Sequence, residues 1–377
     1  MTHEYPPDAT LDSVSLSRVM GLADFGFTPR QREFLVAVMV HAGCFLERQY
    51  CTFTGAVRGQ NSREFVARLV ARGFARAIEP GPVRRGRLYH VHHKPLYEAI
   101  GQPDTRNRRL QSIGRMVERV MILDAVLSDR RCWWLSPEAD KRTFFDVTQA
   151  TGLRPEDYPH ITFGLGPHRR VRCFPDKLPI GIEKADTSRF VFLYLVNRRV
   201  PVDFRQFLIR HHTLLANLHS WTVRLLVPRR FTKAGAIYKA ALREELWSPL
   251  NPSVSEALET YFRERKQQGG HLADPTDPFI AREFRRQGMA RIMALYRAWR
   301  RQGDIVLSRS SSTSLRDDRM HGCSACDIQI LAGQYLQLTS TLDREAWATR
   351  GAKRKSRHVG PPLPTAAPDS PSPLVAP

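Results

Sequence analysis

The sequence is short of negative charge. Its 377 residues hold 58 Lys and Arg against 37 Asp and Glu, a formal net charge of +21, with an isoelectric point near 10.4. Such a surface attracts polyanions, either nucleic acid or an anionic membrane. Long apolar runs are also lacking. The longest, residues 34–40, is too short to span a bilayer and suits a core helix, which makes the membrane the weaker option. Cysteine is scarce and mostly isolated, at positions 44, 51, 132, 173, 323 and 326, as in a reducing cytoplasm and not in a disulfide framework. Residues 1–10 contain Glu, Asp and two prolines, so they do not read as a secretory signal. No internal repeat is visible. G-x-S-x-G, H-E-x-x-H and the Gly-rich P-loop with its lysine are all missing, and with them the commonest signatures of hydrolase and nucleotide chemistry.

What is present is enough apolar material to fill real cores, at 42% of residues, over a length that suits two ordinary domains. Residues 1–26 read as a lightly ordered lead-in. "FTPRQREFLVAVMVHAG" then opens a helix, with Thr28 as cap, Pro29 at the first position and Gln31 completing a capping box. Phe34, Leu35, Val38 and Met39 form its apolar stripe, and Gly43 ends it. A short helix over 47–53 closes at Gly55. Asn61 or Ser62 caps a third helix, with Phe65, Val66, Leu69 and Val70 inward. Arg63, Glu64, Ala67, Arg68 and Ala71 stay outside, and Gly73 fits the left-handed position past the end. "FARAIE" and "RLYHVHH" alternate as two strands around the turn residues "PGPVRRG", and "KPLYEAIG" returns as a short helix.

Three helices and a two-stranded ribbon over 27–104 give the order of a winged helix-turn-helix. In that arrangement the third helix lays its polar side in the major groove, and the wing reaches a neighbouring phosphate run or the minor groove. Residues 58–94 carry nine Lys or Arg against two Glu, an imbalance that core packing does not explain. The expected groove residues are Gln60, Asn61, Ser62, Arg63 and Arg68. Arg84, Arg85 and Arg87 act from the wing, and Arg48 with Gln49 grips the backbone from the preceding helix. The same fold can dock a protein, leaving the arginines as a solvated face, and structured RNA is a further alternative.

Residues 105–307 read as a linker helix followed by an α/β and helical domain, so the whole is α+β. "RRLQSIGRMVERVMILDAVLSD" is amphipathic and bridges the two halves. "RRCWWLSPEADKRTFF" and a loop-rich stretch with "GLGPHRR" follow. "RFVFLYLVN" at 189–197 is too apolar for a one-faced strand. With the helix "DFRQFLIRHHTLLANLHS" and the strand at 221–228 it implies a parallel crossover. Helices dominate thereafter. "PFIAREFRRQGMARIMALYRAWRR" is the best of them, with seven arginines between 281 and 301 offset only by Glu283, a possible second nucleic-acid surface. Residues 308–377 are expected to be low-order, basic and then Pro/Ser-rich.

Three places resemble chemistry. His321, Cys323 and Cys326 have a zinc-like bite, but a structural zinc needs four ligands, and free thiols are the plainer reading. His211 and His212 sit mid-helix and read as packed or surface histidines. Pro175–Asp176 ahead of a buried strand has the order of a PD-(D/E)xK nuclease core, in which a second acid and a lysine help hold magnesium and assist attack. The strand that should supply them offers Leu193, Tyr194, Leu195 and Val196. The expectation is therefore no catalytic, metal or cofactor site, with a divergent nuclease or relaxase-associated factor working through Asp176 as the rival.

The stretches "GFTPRQREFLVAVMVHAG", "LVARGFARAIEPGPVRRGRLYHV" and "LYEAIG" are similar to the winged helix of the replication-relaxation family, proteins of bacterial plasmids and integrated elements. The resemblance runs over roughly residues 25–230. It implies a DNA-binding module joined to an α/β segment with a nuclease-like core, in mobile-element company. The expected partners are double-stranded DNA, a second copy of the chain or other mobile-element proteins. The expected place is the cytoplasm, at the nucleoid.

Overall fold

The computed structural model describes residues 7–78, 87–147, 153–164, 168, 170–311, 324–333 and 335. It begins with a helix, α1 (Pro7–Gly21), where a lead-in was expected. Apolar periodicity alone does not announce it; its anchors lie far along the chain. Arg18 forks onto Asp140 through two 2.8 Å contacts, and Asp12 accepts the Trp133 indole N–H at 2.8 Å. Tertiary attachment of this kind is what usually holds a helix of modest propensity.

The next elements follow the sequence closely. Helix α2 (Pro29–His41) starts on the Thr28–Gln31 capping box and buries Phe34, Leu35, Val38 and Met39. Strand β1 (Cys44–Leu46), helix α3 (Glu47–Thr54) and helix α4 (Gln60–Ala71) come next, then β2 (Ala75–Ile78), β3 (Leu88–Val91) and α5 (Lys94–Ala99). Gly73 takes φ +68° just past α4, the left-handed conformation that favours glycine. The three strands form an antiparallel sheet in the order β1–β3–β2. Phe65 of α4 stacks on Tyr50 of α3 at 4.2 Å, and both pack against Phe34 of α2. Val70, expected inward, is 40% exposed. Phe65, Val66 and Leu69 already occupy the contact stripe, and Val70 points past it as the chain turns away.

Helix α6 (Ile113–Ser128) is the shared brace. Nine of its residues are buried. Leu123 and Leu127 belong to the N-terminal core, whereas Met116, Val117, Val120 and Met121 pack with Val191, Leu193, Leu195 and Leu226 of the second half. The second half contains β4 (Cys132–Leu135), α7 (Glu138–Val147), β5 (His160–Phe163), β6 (Arg170–Cys173), β7 (Ile180–Glu183), β8 (Asp186–Leu195), α8 (Val202–Asn217) and β9 (Ser220–Pro228). Helices α9 (Thr232–Trp247), α10 (Pro252–Gln267), α11 (Pro278–Gln287), α12 (Met289–Gln302) and α13 (Ile305–Ser311) follow, and strand β10 (Ser324–Leu331) comes last.

Five strands build a mixed central sheet in the order β10–β9–β8–β7–β4. β8, β9 and β10 run parallel, and β7 and β4 antiparallel to their neighbours. The β8–α8–β9 crossover is the one the apolar strand pattern predicts. α6 covers one face of the sheet, and α8 and α9 cover the other.

Three expectations need correction. The loop-rich stretch contains the β5–β6 ribbon and follows a strand and a helix, β4 and α7. The long arginine-rich helix is two helices broken at Gly288, where φ is +77°. Residues 324–331, expected to be low-order, form the edge strand β10. A lone strand gains its stability from the neighbour that completes its ladder, and here that neighbour lies about a hundred residues earlier in the chain. Among the described residues no helix is long and apolar enough to cross a membrane, and Cys44, Cys51, Cys132, Cys173 and Cys326 are free thiols.

Candidate nucleic-acid interface

The site is built around the turn between α3 and α4. Glu47, the first residue of α3, has a side chain only 12% exposed. Its carboxylate accepts from the Ser62 hydroxyl at 2.9 Å and from Arg58 Nε at 3.0 Å. Ser62 Oγ also accepts the Gly59 backbone N–H at 3.3 Å, closing the first turn of α4. These bonds fix the angle at which α4 leaves α3. They also correct one expectation: Ser62 is 2% exposed and faces the protein, because a hydroxyl at the third helical position reaches back to the capping residue.

The rest of the outer face of α4 is open. Gln60, Asn61, Arg63 and Arg68 are exposed. Gln60 donates to Glu64 one turn on at 2.7 Å. Arg68 donates to Gln31 of α2 at 2.7 Å and lies against the Phe27 ring. Among the described residues, no side chain partners Asn61 or Arg63. Arg76 projects from β2 on an exposed position.

Arg87 stands exposed at the start of β3. Its guanidinium lies near enough to the Tyr89 hydroxyl to pull its pKa down against the burial that raises it, and Glu47 and Arg58 are also within electrostatic reach of that hydroxyl. The base of the β2–β3 ribbon therefore adjoins the α3–α4 turn. Arg84 and Arg85 lie outside the described residues.

Arg48 and Gln49 are placed differently from the sequence expectation. Gln49 is 1% exposed. Its Oε1 accepts the Leu46 N–H at 2.9 Å, and its Nε2 donates to Val120 O at 2.9 Å and Asp124 Oδ1 at 2.8 Å. Arg48 forks onto Asp124 at 2.9 and 2.6 Å, and the Tyr335 hydroxyl donates to the same carboxylate. Both residues are turned toward α6 because Asp124 sits there. A glutamine three residues into a helix is the one local hint of this inward role.

Asp176 has mainly basic neighbours. It lies between two left-handed residues, Phe174 (φ +45°) and Lys177 (φ +55°). Arg210 Nη1 donates to it at 2.5 Å, and His211 Nδ1 stands 3.8 Å away while bonded to Phe207 O at 2.9 Å. Burial holds the His211 imidazole down at about 4 despite Asp176, so the ring is neutral. Lys141 is buried beside it and donates to Leu178 O at 2.7 Å. Burial lowers its pKa to about 8, against the pull of Asp176, Asp140 and Glu138. Lys177 is also lowered to about 8, by burial and by Arg106, Arg119, Arg172 and Arg115. One carboxylate already paired with an arginine is a poor donor set for a divalent cation. β8 turns Leu193 and Leu195 toward α6.

His212 is brought to about 4 by burial and Arg309, a packed histidine on α8. Cys326 lies on β10 with its thiol pKa raised by burial, and His321 and Cys323 lie outside the described residues. Among the described residues no three His, Cys, Asp or Glu side chains gather closely enough to share a metal. The arginines of α11 and α12 divide. Arg291 is 2% exposed, donating to Ser248 O and lying 3.4 Å from Glu245, whereas Arg282, Arg285 and Arg301 are exposed. No family model, curated protein or solved structure matches the chain.

Proposed function

We propose that this protein binds double-stranded DNA through its N-terminal module, read as a winged helix-turn-helix. The observation that carries the reading is the element order α2–β1–α3–α4–β2–β3 with sheet order β1–β3–β2, on which α4 leaves Asn61 and Arg63 exposed and, among the described residues, without a side-chain partner. That is the arrangement in which a second helix of a helix-turn-helix enters the major groove and a ribbon flanks it. Of the carboxylates near Arg63, Glu47 is occupied by Ser62 and Arg58, and Glu64 accepts from Gln60. A net charge of +21 supplies the non-specific attraction.

In this reading Gln60, Asn61, Arg63 and Arg68 meet base edges and phosphates, and Arg87 works from the wing with Arg84 and Arg85. Arg48, Gln49 and Ser62 hold the module in shape. The α/β and helical half adds contacts to a second copy or to other proteins, with no catalysis of its own. The resemblance to replication-relaxation proteins suggests regulation or replication of a mobile element, in the cytoplasm. Fluorescence anisotropy with a labelled duplex library tests it: Arg63→Ala and Asn61→Ala should change preference among sequences. Uniform weakening by every substitution reduces the claim to bulk electrostatics, and no binding at low salt overturns it.

A second reading, a divergent metal-dependent nuclease, draws on Asp176 standing just ahead of β7. It predicts magnesium-dependent cutting of supercoiled plasmid that Asp176→Ala abolishes. The Arg210 and Lys141 cations around that carboxylate weigh against it.

A further inference from the structure

An opening lies between the two halves of the molecule. Helix α1 crosses from α2 to α7 and is pinned at the far side by the Arg18–Asp140 fork and the Trp133–Asp12 bond. Beneath it is a cavity of about 410 Å³. That size is in the range of sites for small organic ligands, roughly 300–1,000 Å³, which favour junctions between folded units. Its walls are mostly apolar: Val14, Ala37, Val40, Phe53, Trp133 and Phe144.

The charges at its rim do not cancel. Arg18 is paired with Asp140, Arg30 with Glu33, and Asp129 with Arg131 and Arg224. Two cations remain. Arg130 is exposed, donates to the neutral Phe53 carbonyl at 2.6 Å, and lies over the Phe53 ring. Lys184 is exposed and stands 5.7 Å from the Trp133 ring centre. Among the described residues neither has a carboxylate partner. An apolar, aromatic-walled cavity with two unmatched cations at its mouth suits a ligand with an apolar body and one anionic head.

We propose that this cavity binds a small apolar carboxylate, its body against Trp133, Phe53 and Phe144 and its carboxylate at Arg130 and Lys184. α2 supplies one wall and Phe53, near the end of α3, another, just before the turn that aims α4. A bound ligand therefore bears on the pose of α4. This second consequence rests on the DNA-binding reading, whereas binding itself does not.

The test uses the full chain, without DNA, titrated by calorimetry with 4-phenylbutyrate and decanoate and with the matching alcohols. One-to-one saturation is expected, roughly tenfold tighter for the acids, since a charge-assisted pair of about 1.4 kcal/mol corresponds to that factor. Trp133 in the wall provides an independent fluorescence signal. The Arg130→Ala/Lys184→Ala double variant should retain binding of the alcohols and lose the preference for acids. Ala37→Phe should fill the cavity and abolish binding with the circular dichroism spectrum unchanged. If that variant does not fold, Thr143→Trp from the α7 wall takes its place. Absence of saturation at millimolar ligand, equal affinity for acid and alcohol, or binding unaffected by both filling variants overturns the proposal. So does binding that appears only when residues 1–6 are removed, which assigns the cavity to the chain's own N terminus. Failure of the DNA-binding reading leaves every one of these titrations unchanged.

Discussion

Removing the Asp124 carboxylate should loosen two attachments at once. Asp124 accepts the Arg48 fork at 2.9 and 2.6 Å, Gln49 Nε2 at 2.8 Å, and the Tyr335 hydroxyl. In Asp124→Ala, Gln49 Nε2 keeps its bond to Val120 O, so that loss is small. The Arg48 side chain is 40% exposed, and screening by water limits the lost ion pair to about 1 kcal/mol. Tyr335 is 4% exposed, and burial together with Asp124 pushes its phenol pKa upward, so it remains a donor with nothing to receive its proton. An orphaned buried hydroxyl costs about 1–2 kcal/mol. The total is about 2–3 kcal/mol, read from the urea unfolding curve by circular dichroism. Tyr335→Phe should cost less, about 1 kcal/mol, and the double variant should cost less than the sum because both changes remove the same bond. Limited proteolysis of Asp124→Ala should cut beside β10, which Tyr335 follows, before cutting elsewhere. A loss below about 0.5 kcal/mol, or strict additivity with Tyr335→Phe, refutes the idea that this carboxylate ties the last strand to the N-terminal module.

Arg63→Ala or Asn61→Ala should cost on the order of 1–3 kcal/mol on a preferred site and little on random duplex, whereas Arg87→Ala should weaken both alike and lower the salt slope by about one. Glu47→Gln separates aim from charge. It frees Arg58 and removes a negative charge, so low-salt binding to random DNA should tighten. It also loosens the turn that orients α4, so discrimination between sites should fall; unchanged discrimination would show that the clamp does not aim α4. Burial holds the His90 and His211 imidazoles at about 4 against 6.5 when exposed, although the Asn107 carbonyl raises the first and Asp176 the second. The unfolded chain then binds more protons at mildly acid pH. Their contribution is complete above pH 6.5 and is lost as pH falls toward 4, by at most about 3 kcal/mol each. His211→Phe, which keeps the ring on Phe207, should flatten the stability profile between pH 6.5 and 4; an unaltered slope there contradicts the assignment.

Some of this architecture was legible without coordinates. The Thr28–Gln31 box, the stop at Gly73 and the inward stripe of Phe65, Val66 and Leu69 depend on neighbours within a turn or two, and each appears where its residues predict. The apolar strands around α8 declare a parallel crossover because both of their faces must be buried. The exposed residues Gln60, Asn61, Arg63 and Arg68 were likewise readable, as the polar side of a helix whose other side is aromatic.

The fate of a polar side chain is another matter, because it follows the nearest complementary charge, and chain distance says nothing about where that charge will be. Arg48 and Gln49 turn to Asp124 across more than seventy residues, Arg18 to Asp140 across 122, and Tyr335 to Asp124 across 211. Those long-range pairs decided that α1 is a helix, that two expected phosphate contacts are instead internal struts, and that the last described residue packs against the first module. The order of the elements was written locally; which cations stay free to meet a ligand was settled only when distant carboxylates came into reach.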